Sequence, residues 1–257
     1  MNYIGSIGKY ILNLLASFGS AVIFSFYALV GIFVAPIYFR KIIENLIEIG
    51  FYSLPVVGMT AIFTGAVLVL QSYVGFSRFS AEGSIPTVVV LSITRELGPV
   101  LAGLMVAGRV GAAIAAEIAT MKVTEQIDAL STMAVNPIKY LVTPRVIASV
   151  IAMPCLVLVA DIVGILGGYI VATEKLGFNK AIYLKNTINY LEFMDVFSGL
   201  VKAAIFGLVI ALTGCYHGYT ASKGAAGVGS ATTNAVVSAS VLILIFNYIA
   251  TEVFFAK

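Results

Sequence analysis

The chain contains few charged residues. Asp, Glu, Lys and Arg make up only 11% of its 257 residues, whereas a soluble domain carries about 25%. Hydrophobic residues make up 60%, and a chain of this length has room for roughly five or six membrane spans of about 20 residues each. The net charge of +3 is small and spread along the chain, so no nucleic-acid partner is expected. The composition therefore predicts an all-α integral membrane protein.

Tryptophan is absent, and there are only two cysteines and one histidine. Anchoring at the membrane interface then falls to the 13 tyrosines and to Lys and Arg. Cys155 and Cys215 both lie in apolar stretches, which favours small buried side chains over a redox pair. The sequence contains no Cys/His spacing typical of a metal site, no phosphate-binding loop and no catalytic triad. We therefore expect no metal, no cofactor and no enzymatic activity of the chain itself.

Hydrophobic segments predict five transmembrane helices. They cover about 52–76, 85–121, 144–173, 194–215 and 234–254, with a Gly/Ala/Ser/Thr loop over 216–233 before the last. The second segment would be about 55 Å long as a helix, longer than a bilayer core of roughly 30 Å. Its C-terminal end should therefore project into water. A small excess of Lys and Arg on one side favours a cytoplasmic N-terminus.

The N-terminal 50 residues form a region distinct from the transmembrane domain expected over 51–257. Polar residues recur there every three or four positions, which places them on one stripe of an apolar helix: Ser6, Lys9, Asn13, Ser17 and Ser20. This pattern favours an interfacial helix that lies in the membrane plane over a true span. A water-facing stretch follows, marked by Arg40, Lys41, Glu44 and Glu48.

Four charged residues fall inside predicted spans. Arg95 and Glu96 lie about ten residues into the second span, Lys202 about eight into the fourth, and Asp161 at a similar depth in the third. Each unpaired charge at the bilayer centre costs roughly 2.5–3.5 kcal/mol, so these groups must face each other, a cavity or a partner. One interpretation is a salt-bridge cluster that locks helices together; the favoured one is a polar patch lining a pathway for an amphipathic substrate. Pro99 has no N–H and leaves the carbonyl of Arg95 without its donor, which predicts a kink.

The second span also carries a stripe of small residues. They repeat every four positions: Gly103, Ala107, Gly111, Ala115 and Ala119. Small residues at this spacing let another helix approach closely. Packing within the chain is favoured over a seam between two copies.

A short polar helix is predicted over 124–134, between the second and third spans. Thr124 can serve as its N-cap, with Glu125 and Asp128 in the first turn. Its apolar face would comprise Ile127, Leu130, Met133 and Ala134. Such a helix suits docking to a cytosolic protein, with a membrane-surface turn as the alternative.

Several of these segments resemble the MlaE family, the permeases of ABC systems that work with MCE-domain lipid-binding proteins. The resemblance is carried by Leu91-Ser-Ile-Thr-Arg-Glu-Leu-Gly-Pro-Val100, Ala107-Gly-Arg-Val-Gly111, Glu125-Gln-Ile-Asp-Ala-Leu130 and Leu141-Val-Thr-Pro-Arg145. It covers about residues 50–255, and the block from 91 to 145 is the most specific part.

The resemblance implies a phospholipid permease in a bacterial inner membrane that serves transport between inner and outer membranes. Two permease copies would pair above two cytosolic ATPase subunits, with an MCE-domain protein on the periplasmic side and a STAS-domain protein as a further partner. The 124–134 segment would be the coupling helix seated in the ATPase, through Glu125, Gln126, Asp128, Leu130 and Met133.

Arg95, Glu96 and Lys202 match charged positions near the family's lipid cavity, whereas Asp161 stands where an apolar residue is expected. Two alternatives remain open from the residues alone. One is an ion-coupled secondary transporter with protonation sites at Glu96 and Asp161, and the other is a structural membrane scaffold.

Overall fold

The computed structural model describes residues 3–34 and 36–255, and within these ranges the chain is helical and contains no strand. The helices are α1 (Tyr3–Phe33), α2 (Phe39–Ile49), α3 (Leu54–Phe76), α4 (Ile85–Ser92), α5 (Gly98–Val106), α6 (Ala112–Val123), α7 (Gln126–Thr132), α8 (Thr143–Ile170), α9 (Lys180–Asn189), α10 (Phe193–Tyr219) and α11 (Ala225–Phe255). Single π-helical turns interrupt or flank the longest helices, at Ile93–Leu97, Ala107–Gly111, Ile138–Val142 and Val171–Lys175. The all-α fold predicted from the composition is confirmed.

Six stretches of the described chain are long and apolar enough to cross a membrane. They are Leu15–Phe33, Phe39–Phe79, Glu82–Val123, Ile138–Lys175, Phe193–Tyr219 and Ala225–Phe255. The chain is thus a multi-pass membrane protein. Five of the stretches contain the five predicted spans, and the sixth is the last 19 residues of α1. Of the polar stripe predicted on α1, the side chains of Ser6 and Asn13 lie outside the described part of the structure.

The second predicted span is a single long helical stretch. Helices α4, α5 and α6 follow one another through two π turns, so Glu82–Val123 is one helical stretch of 42 residues. Its small residues lie against α10 and α11. A Cβ on Gly103 would touch Phe206 of α10 and Ile243 of α11, and Ala107 and Ala115 are fully buried. Small side chains therefore set the close spacing of these three helices.

The loop predicted over 216–233 is wrong. Helix α10 continues to Tyr219, α11 begins at Ala225, and only 220–224 connect them, with Gly224 at a φ of +86°. The Gly/Ala/Ser/Thr composition indicated a flexible segment, but buried small residues recur there at helical spacing: Gly227, Ala231, Ala235 and Ala239. This stripe packs α11 closely against its neighbours, and tertiary packing outweighs the low helix propensity of the segment.

The two cysteines differ in their surroundings. Cys215 is fully buried, as predicted, but Cys155 is exposed on α8. It lines an apolar groove beside Leu46 and Phe51. The prediction of burial for Cys155 fails because an outward face of a membrane helix is as apolar as its inward face, so hydropathy alone does not separate the two.

Candidate functional site

A charged cluster forms around the π turn Ile93–Leu97, about a third of the way along the 42-residue helical stretch Glu82–Val123. The turn closes with a hydrogen bond from the Gly98 N–H to the Ile93 carbonyl, one residue longer than in an α-helix. Pro99 follows directly and has no N–H to donate to the carbonyl of Arg95. The side chain of Lys202 takes that place, because its Nζ donates to the Arg95 carbonyl oxygen over 2.8 Å.

Lys202 is fully enclosed and fully hydrogen-bonded. Besides the Arg95 carbonyl, its ammonium donates to Oε1 of Glu96 over 2.9 Å and to Oγ1 of Thr251 over 2.8 Å. A lysine ammonium has three donors, so each has a partner. With 0% of its side chain exposed, Lys202 orients its neighbours rather than facing a ligand.

The Glu96 carboxylate is bound by Lys202 of α10 and by two residues of α11, and the side chain remains partly exposed. Asn247 of α11 donates from Nδ2 to Oε2 over 2.9 Å, and the Thr251 hydroxyl lies 2.9 Å from Oε1. The same hydroxyl is 2.8 Å from the Asn247 carbonyl oxygen, so its one proton serves one acceptor at a time. About a third of the Glu96 side chain, 35%, is exposed.

Arg95 forms a second ion pair beside the first. Its Nε and Nη2 donate to Oδ1 of Asp195 over 2.7 and 2.6 Å, and its guanidinium lies 4.4 Å from the ring centre of Phe255. Asp195 is 1% exposed, and its other oxygen accepts the N–H of Glu192 in a capping box at the start of α10. Arg95 itself is 34% exposed.

The structure therefore brings Arg95, Glu96 and Lys202 together. Lys202 pairs with Glu96 and Arg95 pairs with Asp195, so the two ion pairs have no net charge. Sequence reasoning missed three members of this cluster: Asp195, Asn247 and Thr251. A signal for the last two was present, since they lie four residues apart in an apolar helix and so share one face. Asp195 stands three residues after Glu192, which is the spacing of a helix-capping pair.

Asp161 does not join the cluster. It is 6% exposed on α8, and a Cβ on Gly98 would overlap its Oδ1. Among the residues that the structure describes, this oxygen has no hydrogen-bond partner. Pro99 lies on a different side, in contact with α10, where a Cβ on Gly199 would be 3.4 Å from its Cγ. The two residues that the sequence assigned to the same pathway thus contact different helices.

A second polar group lies near the α6 end of the same stretch and was not singled out from the sequence. Arg109, in the π turn Ala107–Gly111, donates to Oγ of Ser53 over 2.8 Å and to the Glu48 carbonyl over 3.2 Å. Nearby, Arg145 of α8 pairs with Glu117 of α6 over 2.7 Å. Arg109, Glu117 and Arg145 line a cavity of about 80 Å³ to which α2, α6 and α8 all contribute residues.

The short polar helix begins two residues later than predicted. The Thr124 hydroxyl donates to the Thr120 carbonyl of the preceding helix, so Thr124 does not cap α7. Glu125 precedes the helix with a φ of +60°, a left-handed conformation that is uncommon for a residue with a Cβ. This left-handed residue turns the chain sharply between α6 and α7.

The predicted apolar face of α7 is divided by the structure. Ile127 is buried and Leu130 packs against the core, whereas Met133 is 72% exposed. Of the polar positions, Asp128 lies 3.5 Å from Lys122 in an exposed ion pair. The outward surface of α7 therefore comprises Gln126, Asp128, Ala129, Ser131 and Thr132, with Glu125 and Met133 exposed at its two ends.

Comparison with known proteins decides the family. The family model described as Permease MlaE matches residues 42–253. The chain belongs to the MlaE permease family. The resemblance found in the sequence is thus confirmed, and the chain is a membrane permease subunit.

Relatives from several lineages match most of the chain. A probable ABC transporter permease protein of Rickettsia felis is 63% identical over 99% of this chain and 98% of its own length. The intermembrane phospholipid transport system permease protein MlaE of Haemophilus influenzae is 34% identical over 99% of this chain and 98% of its own length. The chloroplastic protein TRIGALACTOSYLDIACYLGLYCEROL 1 of Arabidopsis thaliana is 37% identical over 85% of this chain and 63% of its own length.

Proposed function

We propose that this MlaE permease moves phospholipids between the inner and outer membranes of a bacterial envelope, driven by a separate ABC ATPase subunit. Arg95 and Glu96 carry the proposal, because they present charges of both signs on partly exposed side chains inside a transmembrane helix. The Haemophilus influenzae relative, named for intermembrane phospholipid transport, supports the substrate class.

The four charged residues of the cluster divide into two enclosed and two partly exposed side chains. Lys202 and Asp195 are enclosed at 0% and 1% exposure, whereas Arg95 and Glu96 are each about one-third open, at 34% and 35%. A cluster that only locks helices has no reason to leave one member of each pair open, since exposure to lipid would be costly. Open charges beside apolar walls suit an amphipathic ligand, whose headgroup meets the charges while its acyl chains meet the walls.

The ATPase would couple to the permease through contacts with α7. The chain carries no phosphate-binding loop in its sequence, so ATP hydrolysis falls to the partner. The outward surface of α7 is polar and includes the exposed Met133, while Ile127 fixes the helix to the core. This arrangement supports docking of the cytosolic ATPase against α7, with force passing into α6 and onward along the helical stretch to Glu96.

We further propose that α1 lies in the membrane plane and that five helices span. The end of α10 and the start of α8 lie at one level, because Gly218 packs against Ile118 while Arg145 pairs with Glu117, the adjacent residue of α6. The direction of α1 relative to the bundle follows from where α1 contacts the end of α10 and the start of α8.

Helix α1 contacts both ends along its own length. Its Ser20 Oγ is 2.7 Å from the Tyr216 hydroxyl in the last turn of α10, and a Cβ on Gly31 would lie 2.7 Å from Oγ1 of Thr143 in the first turn of α8. These α1 positions are about 16 Å apart along the helix. A helix that meets one level at two points so far apart runs across the bundle, which supports an interfacial position.

The remaining partners rest on the family resemblance. They are a second permease copy, a periplasmic MCE-domain protein and a STAS-domain protein that binds the ATPase. Because the small-residue stripe of Gly103 and Ala107 is already covered by α10 and α11, a permease–permease contact would use another face. The proposed location is the bacterial inner membrane.

The proposal is tested with the tagged permease, expressed together with the ATPase encoded by the same genome. We expect the ATPase to co-purify, and the complex reconstituted in vesicles to move labelled phospholipid only when ATP is hydrolysed. Lipid or ion movement driven by an ion gradient without nucleotide would favour the secondary transporter instead. An absence of both activities from a correctly assembled complex would leave the scaffold.

A further inference from the structure

We infer that Glu96 and Asn247 form an acceptor pair that selects a phospholipid headgroup carrying a primary ammonium. The inference rests on the proposed phospholipid transport and concerns the chemistry of the headgroup. Asn247 is singled out by its position beside Glu96, to which its amide donates a hydrogen bond.

The first step is the arrangement of acceptors. Asn247 turns its amide nitrogen towards Glu96 and donates to Oε2 over 2.9 Å. Its amide oxygen is buried and accepts no hydrogen bond from any described residue of the chain. A buried acceptor without a donor is unfavourable. Next to it, Oε2 of Glu96 accepts from Asn247 and has room for a further donor, since a carboxylate oxygen can accept two hydrogen bonds.

The second step is the sign of the charge. Glu96 is 35% exposed and negative, which attracts a cationic donor to the carboxylate that the Asn247 amide contacts. A primary ammonium supplies three N–H donors and a positive charge. A quaternary trimethylammonium has the charge without a donor, and a glycerol hydroxyl has a donor without the charge.

The third step is the position of the phosphate. Asn247, Thr251 and Phe255 recur every four residues and so line one face of α11. Glu96 lies against the first two and Arg95 lies over the third. The guanidinium of Arg95 and the carboxylate of Glu96 therefore both contact this face of α11.

Of the Arg95 donor atoms, Nε and Nη2 bind Asp195, and the side chain as a whole is 34% exposed. A phosphate at Arg95 with an ammonium at Glu96 and Asn247 matches the charge sequence of an ethanolamine phospholipid. The site would thus bind both the phosphate and the ammonium of a zwitterionic headgroup.

The test uses the assembled transporter in vesicles that contain ethanolamine, choline and glycerol phospholipids in equal amounts with identical acyl chains. Mass spectrometry measures the lipids that co-purify with the permease and the lipids that it transfers. We expect the ethanolamine lipid to be enriched over the choline lipid by about fivefold, as one net hydrogen bond would give. Equal binding of these two lipids would overturn the inference, and so would a glycerol lipid that binds as well as the ethanolamine lipid.

Two variants separate selection from support. Asn247→Leu removes the acceptor, and it should bring the ratio of ethanolamine to choline lipid close to one. Thr251→Val removes a hydroxyl beside Glu96 but leaves the Asn247 amide in place, so the ratio should persist even where total transfer falls. An unchanged ratio in Asn247→Leu would contradict the inference, and Asn247→Ser provides the same comparison if the leucine variant fails to assemble. A wild-type complex that transfers no phospholipid at all would instead contradict the proposed function.

Discussion

The ammonium group of Lys202 donates to the main-chain carbonyl of Arg95 over 2.8 Å. Pro99 explains why this carbonyl is free to accept the bond, because Pro99 lacks the N–H that would bind the same carbonyl in a regular α-helix. The Lys202 side chain of α10 thus supplies the hydrogen bond that the main chain of the π turn Ile93–Leu97 lacks. Lys202 is a structural residue of the charged cluster as much as a counter-charge.

Replacing Lys202 alone is expected to destabilise the permease. Lys202→Met would leave the Arg95 carbonyl and one Glu96 oxygen short of a donor, at about 1–3 kcal/mol for each stranded group. Thermal unfolding of the detergent-solubilised complex should show a clear fall in melting temperature. Thr251→Val is the matched comparison, since it removes the hydrogen bond accepted from Lys202 and the one that the hydroxyl donates, but no charge, and its fall should be smaller. Equal melting of Lys202→Met and wild type would contradict this account.

Gly98 is expected to be intolerant of any side chain. A Cβ there would overlap Oδ1 of Asp161 and would come within 2.9 Å of the Ile93 carbonyl. Gly98→Ala should therefore lower the yield and melting temperature of the complex, by about 1–3 kcal/mol as typical overpacking does. The double variant with Asp161→Ala should recover part of the loss. Gly108→Ala, on the same helical stretch with nothing within 4 Å, is the control and should be neutral.

Docking of the ATPase should depend on the outward surface of α7. Asp128→Lys and Met133→Asp change exposed side chains, so the permease should fold normally but recover less ATPase in a pull-down and transport less lipid. Leu130→Asp is a poorer test, since Leu130 packs against the core. Glu174→Lys is the matched control, because Glu174 also pairs with a lysine and is 65% exposed, against 64% for Asp128. Full ATPase recovery in both α7 variants would refute this docking site.

The interfacial position of α1 predicts labelling from a single side. In a variant whose native cysteines are replaced, Ser20→Cys and Val34→Cys should both react with a membrane-impermeant thiol reagent added on the side where Lys223→Cys reacts. A spanning α1 would separate the first two positions by about 21 Å along the helix axis. Reaction of Val34→Cys from the side of Lys180→Cys would show that α1 is a sixth span.

Much of this architecture could be predicted from the sequence because hydropathy and charge act locally. The five predicted apolar helices, the excess length of the second and the special position of Arg95, Glu96 and Lys202 all follow from the cost of placing polar groups in a bilayer. The effect of Pro99 on the Arg95 carbonyl was likewise predictable, since proline lacks an N–H wherever it stands.

The partners of these charges depend on long-range packing and escaped prediction. Asp195 pairs with Arg95, 100 positions earlier in the chain, and Asn247 meets Glu96 across 151 positions. No local periodicity encodes such pairs. The first half of α11 also escaped prediction because of long-range packing. Its Gly/Ala/Ser/Thr composition is typical of a loop, and the helix is explained only by the burial of Ala231 and Ala235 against neighbouring helices.

A test of the cluster must remove its charges in balance. Arg95→Leu, Glu96→Leu and Lys202→Met together leave Asp195 buried without its partner, which would destabilise the protein whatever its function. Adding Asp195→Asn removes the last charge and keeps an oxygen for the hydrogen bond from Glu192. A second variant, with an exposed ion pair of α2 neutralised elsewhere in the chain, controls for the loss of charge itself: Arg40→Leu with Glu44→Leu.

The most direct measurement is ATP-driven phospholipid transfer by the reconstituted complex carrying the four cluster substitutions, with assembly checked by size-exclusion chromatography. Replacing a buried ion cluster by neutral groups is often compatible with folding, so the complex should assemble. If Arg95 and Glu96 bind the headgroup, transfer by the assembled variant should be abolished while the α2 control transfers normally. Near-normal transfer by the assembled cluster variant would contradict the account and would assign these charges a purely structural role.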